Sequence, residues 1–200
     1  MRAALLLGLA AAALAAVAPA AAVSARSEPA TVASLNVSQY TGRWFNIYQD
    51  WFTNATFQNA SYCATALYEP DASVPGRITV RNFEHHDRVD GPVIVVPGYA
   101  YQTDATRHPG RLEVVLLADG ASGFPAPYWV LRLGPVVDGQ YDYAVVSDNL
   151  RLTLFVLARD VARFAARYEA DVMRWVAANG FTTFVNKPVK VVQSGCTYTW

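Results

Sequence analysis

Between residues 43 and 158 the chain is a succession of eight short β-forming runs, at 43–51, 62–69, 77–83, 93–102, 111–118, 128–133, 140–147 and 151–157. Gly, Pro, Asp and Asn break them apart at 71–76, 87–92, 104–110, 119–127, 134–139 and 148–149. Short strands with links this brief predict an antiparallel meander, which is a sandwich or an up-and-down barrel. Asp148-Asn149 resembles a two-residue hairpin turn. The period then changes once. Val161, Phe164, Ala165, Tyr168, Val172, Trp175 and Val176 recur near helical spacing, with Asp160 placed to cap the start and Asn179-Gly180 to end it. Eight strands and then one amphipathic helix do not suit a sandwich. They predict an all-β fold: a closed eight-stranded antiparallel barrel over about 43–158, with a helix over about 160–179 laid on its outer wall. A connector interrupted by Pro188 leads to a final extended segment at 190–196.

The two ends bound the compartment. Residues 1–25 carry Arg2, an apolar run at 5–17 and small-residue cleavage sites within 18–26, the layout of a secretory signal peptide. The run is short for a membrane span, which needs about 20 apolar residues. Residues 26–200 then form a single domain, expected to be secreted, with no transmembrane span. No Cys lies in or just after the leader, which excludes a lipid-modified cysteine anchor. The formal net charge is zero and only 16% of residues are charged, so nucleic acid has no basic surface to bind. An oxidising compartment favours pairing the two cysteines, Cys63 and Cys196, the alternative being two buried thiols. Sequons begin at Asn36, Asn54 and Asn59, the last two in a loop better suited to carry a glycan.

Strand parity separates inner from outer faces. With Cys63 pointing outward to a C-terminal partner, Tyr62, Ala64, Ala66 and Tyr68 point inward. Arg77, Thr79 and Arg81 mark an outer face, which leaves Ile78, Val80 and Asn82 inside. Glu113 does the same for Leu112, Val114 and Leu116, while the fourth run offers Val96, Gly98 and Ala100. Small residues among tyrosines and aliphatics suit a barrel with room for one ligand, against the alternative that bulky neighbours fill the space.

Three motifs then fall in order. Asn36, Tyr40, Gly42 and Trp44 open the first strand; Tyr141-Asp142-Tyr143 precedes the seventh; Phe155 to Arg159 ends the eighth. Together they resemble the three signatures of the lipocalins, with Tyr141 where a Thr is usual. The resemblance implies a barrel that holds one small apolar molecule. It also implies that Gly42 turns the chain across a closed end and that Trp44 plugs that end beneath Arg159. Such a cation–π contact is worth about 0.5–2 kcal/mol. Within the family the chain looks most like the apolipoprotein D group, on Tyr62-Cys63, Gly98 with Ala100, Arg111-Leu112-Glu113-Val114, and Ala126-Pro127-Tyr128-Trp129-Val130-Leu131. That group links its second strand to the C-terminus, matching Cys63 to Cys196. It lacks a counterpart here for a second cysteine pair, and the 134–139 link is longer than usual. By resemblance Tyr68 and Phe155 line the pocket, with Tyr128 a further candidate and Phe57 gating the mouth. Tyr48 and Val130 complete the expected ligand contacts.

The function expected is non-catalytic: a carrier for a fatty acid, sterol, retinoid, carotenoid or bilin, without a cofactor or metal. One alternative is a lipocalin-fold enzyme, but a paired Cys63 supplies no thiol, and Ser147-Asp148 sits in no nucleophile motif. His85, His86 and His108 lack metal-ligand spacing and read as solvated loop residues. Another alternative is a protein- or membrane-interaction module, using Val93, Val95, Tyr99 and Tyr101 on an outer wall. A monomer or homodimer, with association at a lipid surface, is compatible with either reading.

Overall fold

The computed structural model describes residues 27–56, 58, 61–117 and 123–198; the expected signal peptide, Phe57 and Asn59 lie outside them. Asn36 accepts a hydrogen bond from the Ser38 N–H and so caps a one-turn helix, α1 (Val37–Tyr40). Gly42, at φ +99°, then turns the chain into β1 (Gly42–Asp50). A Cβ there would meet the Gln140 side-chain amide at 2.8 Å and the Arg159 guanidinium at 3.1 Å, so only glycine fits.

Asp50 ends β1 by capping a short helix, α2 (Trp51–Ala55), where the sequence suggested one last strand residue and then a loop. There follow β2 (Ser61–Pro70), β3 (Arg77–His86), β4 (Val93–Gln102), β5 (Arg111–Leu116) and β6 (Ala126–Leu133). A small hairpin of β7 (Val136–Val137) and β8 (Gln140–Tyr141) occupies the long link before β9 (Tyr143–Ser147) and β10 (Leu154–Ala158). Each long strand pairs antiparallel with its predecessor, β6 with β9, and β10 returns to β1. The result is a closed barrel of eight antiparallel strands, which leaves no free sheet edge.

Four local expectations are corrected. The β9–β10 link is not a two-residue turn. The Asp148 carboxylate accepts from the backbone N–H groups of Leu150, Leu152 and Thr153, building a six-residue loop that delays β10 to Leu154. The helix is two pieces, α3 (Val161–Arg167) and α4 (Glu169–Ala178), separated by Tyr168 at φ −122°. Pro188 opens β11 (Pro188–Lys190) instead of interrupting a connector; β11 pairs with β1 across Tyr48 and Lys190. His85 and His86 belong to β3 and not to a loop, and His85 is buried.

Two apolar cores result. One fills the barrel from within, around Trp44, Tyr68, Leu112, Val130 and Leu157. The other lies between the outer wall and the helices, where Val145 and Val156 meet Phe164, Val172 and Val176. Successive residues of β9 and β10 supply opposite cores, so both faces of these strands are dry.

Candidate functional site

One end of the barrel is sealed. Trp44 is fully buried and donates its indole N–H to the Tyr40 carbonyl at 2.8 Å. The Arg159 guanidinium lies over the indole, 3.6 Å from the ring centroid. Its N–H groups donate to the carbonyls of Arg43 at 2.6 Å, Thr41 at 2.7 Å and Tyr40 at 3.0 Å, and more weakly to Gln39 and Tyr141. Arg159 therefore fastens the opening turn as well as stacking on Trp44. Burial pushes its pKa down to about 10, which still leaves it protonated at neutral pH. The Arg159 backbone N–H donates to the Asp142 carbonyl at 3.0 Å, the Asp142 carboxylate receives a two-pronged hydrogen bond from Arg163, and Tyr143 packs edge-on against Phe164 in the outer core.

The inner wall rises from this floor. Ala66, Tyr68, Ile78, Val80, Ala100, Leu112 and Val130 belong to the inner core, with Val114, Tyr128 and Phe155 packed against them and only half-buried. Register places others on the same face: Ala66 opposes Asn82, and Val80 opposes Gly98, which opposes Leu116. Ala64 alternates with the outward Thr65 and so also points in. Exposure increases along this face. Tyr40 and Leu112 on the floor are 1% exposed, whereas Leu116 and Ile94 at the other end are 37% and 38% exposed. Among the described residues the inner face is thus sealed at the Trp44 end and exposed at the other.

Two bulges explain where parity failed. Between Asn46 and Tyr48 the β1–β10 register slips, because β1 passes from pairing with β2 to pairing with β11. Asn46 and Gln49 then oppose the inward Leu157 and Phe155, while Tyr48 opposes the outward Val156. Tyr48, expected among the ligand contacts, instead donates its hydroxyl to Glu169 on α4 beneath Lys190. The second slip lies between Tyr62 and Thr65, at Cys63 with φ +55°. It turns Tyr62 to the outer face with His85.

Three residues on the inner side were not among those expected there. Tyr40 reaches the lumen only because α1 swings it under the barrel, and its Oη lies 2.7 Å from that of Tyr128. Asn46 and Gln49 are buried amides joined at 2.9 Å. Among the described residues Asn46 Oδ1 has no hydrogen-bond partner. A pair of amides among the aromatic and aliphatic residues of β1 was the available signal.

The C-terminal segment wedges between β1 and β2 near the open end. The Val191 N–H donates to the Ile47 carbonyl, the Cys63 N–H to that of Val192, and the Gln193 amide to those of Asn46 and Ala64. A disulfide joins Cys63 to Cys196 and pins the wedge. Two surface depressions, of about 380 Å³ against Val32 and Tyr141 and about 410 Å³ along Val161 and Val191, lie elsewhere. Neither is lined by any residue expected to touch a ligand. Among the described residues no His, Cys, Asp and Glu cluster could hold a metal ion, and no helix is long and apolar enough to cross a membrane.

Comparison with known proteins adds a family and a fold. A family model described as a lipocalin-like domain matches residues 35–189. Insecticyanin from the tobacco hornworm Manduca sexta superposes with a TM-score of 0.60 at 16% identity, over 86% of this chain and 88% of that one. Apocrustacyanin C1 gives 0.57 at 20% identity, covering 82% and 83%. The amine binding protein of Rhodnius prolixus, in complex with tryptamine, gives 0.53 at 17% identity, covering 85% and 88%. No curated protein matches the chain.

Proposed function

The chain belongs to the lipocalin-like domain family, and from that premise we propose that it is a non-catalytic carrier of one small hydrophobic molecule. The observation that carries this reading is the gradient along the inner face, from a sealed floor at Trp44 and Leu112 to an exposed rim at Leu116. Phe155, Val114 and Tyr128 lie on this inner face, packed against its core, and keep part of their surface accessible. Transfer of an apolar ligand to such a wall is favourable by roughly 25 cal/mol per Å² of surface removed from water. The amine binding protein of Rhodnius prolixus, of the same fold, forms a complex with the small molecule tryptamine.

The contacts proposed for the ligand are Tyr68, Phe155 and Tyr128 with the aliphatic and small residues between them, and Phe57 at the mouth. The chain is read as a secreted member of the apolipoprotein D group, with glycans at Asn54 or Asn59 in preference to Asn36. Both cysteines are committed to one disulfide, which supports a binding role over thiol chemistry. Titration with a fluorescent fatty acid or retinol tests the proposal. Saturable one-to-one binding is expected, weakened by Tyr68→Asp or Phe155→Asp. A folded protein that takes up no lipid, retinoid or pigment across a broad panel contradicts it.

A further inference from the structure

Three phenols meet at the base of the lumen. Tyr40 from α1 and Tyr68 from β2 each approach the Tyr128 Oη of β6, at 2.7 Å and 3.2 Å. The Tyr40 and Tyr68 rings stack at 6.0 Å, and Tyr68 meets Tyr128 edge-on at 6.3 Å. Each hydroxyl carries one proton, so the two contacts consume two of three. Among the described residues these hydroxyls make no other hydrogen bond, and one proton is left over.

Accessibility assigns that proton. Tyr40 is 1% exposed and Tyr68 7%, while Tyr128 is only half-buried. With both deeper phenols donating into Tyr128 Oη, the spare O–H sits on the phenol whose residue is the least buried of the three. Two donors into one oxygen also strengthen the bond its own hydrogen can make. Burial raises the pKa of all three phenols, so they stay neutral. Arg159 is close enough for its field to reach Tyr40 and Tyr68, but its donors are spent on backbone carbonyls around the opening turn.

We infer that the base of the lumen is a subsite for a neutral oxygen acceptor, a ketone, aldehyde or alcohol at the buried end of the ligand, read by the Tyr128 hydroxyl. This rests on the carrier reading above and narrows it. An ionised carboxylate would bring a full charge to a site that offers one uncommitted proton. A bare hydrocarbon end would leave that proton unpaired.

Matched ligands of one chain length test this: 1-dodecanol, 2-dodecanone and dodecanoate, each titrated at pH 8 against the full chain by displacement of a fluorescent probe. The two neutral ligands are expected to bind about ten-fold or more tightly than the carboxylate. Tyr128→Phe should weaken the neutral pair by about three- to ten-fold and leave dodecanoate within about two-fold. Dodecanoate binding as tightly as dodecanol overturns the inference and leaves the carrier reading standing. So does a Tyr128→Phe protein that still favours the neutral pair. Failure of all three ligands to bind overturns the inference, and the broad lipid, retinoid and pigment panel then decides the carrier reading. Should Tyr128→Phe not fold, the comparison on the native protein decides alone.

Discussion

At the scale of single residues, Trp44 and Arg159 act on stability and not on what the barrel holds. Trp44 is buried at the sealed end, and its truncation removes a large side chain with little room for collapse around it. Trp44→Ala should therefore cost about 3–5 kcal/mol in denaturant unfolding, while affinity per folded molecule changes little. An unchanged midpoint would mean that the Trp44 end is not sealed as described. Tyr48 gives the complementary test, because the bulge at Ile47 carries it to the outside. Tyr48→Phe should lower stability by about 0.5–1.5 kcal/mol through the lost bond to Glu169, with ligand titrations unaltered. A large loss of affinity would return Tyr48 to the lumen. The Trp44–Arg159 pair was legible through the resemblance of both motifs to the lipocalin signatures, which a local slip in register does not disturb. Tyr48 was not, because parity counting cannot see an inserted residue and the insertion depends on β11, which lies about 140 residues away.

At the scale of elements, the helices and the C-terminal wedge are held to the barrel by polar contacts as well as by the outer core. Glu169 opens α4 and accepts from Lys190 Nζ at 2.6 Å and from the Tyr48 hydroxyl, and both bonds lower its pKa from the ordinary 4.5. A carboxylate whose folded-state pKa is depressed contributes stability above its unfolded value and loses it as pH falls through the folded one. Acid titration of helix docking, followed by Trp175 fluorescence, should show a step beginning near pH 4.5 and completed below it. Glu169→Gln should flatten that step; a step of unchanged size would place its origin elsewhere. The disulfide closes a separation of 133 residues. Cys196→Ser should therefore cost roughly 5 kcal/mol in the chain-entropy model, measured by denaturant unfolding. The eight barrel strands were legible because turn residues punctuate them, and the helix because its period differs. The small elements were not. A one-turn helix at Val37, a two-residue strand at Val136 and a three-residue strand at Pro188 carry no period, and their existence depends on what they pack against.

At the scale of the whole molecule, the barrel joins a sealed, stacked base to an open apolar rim, and its inner face remains partly accessible between them. Most of the inner wall was readable, because alternation holds along β3, β4 and β5 without interruption. The base of the lumen was less so. Tyr68 and Tyr128 were visible as pocket aromatics, but Tyr40 reaches them from outside the strand pattern, through a helix too short to predict. The central claim is that this interior holds one small hydrophobic molecule. Native mass spectrometry of the folded protein, purified and then offered a retinoid, sterol and fatty-acid panel, tests it most directly. The account predicts one added ligand mass per chain, abolished or sharply reduced by Phe155→Asp in a variant that remains folded. Bare protein mass under every condition, or ligand retained undiminished by Phe155→Asp, would contradict it.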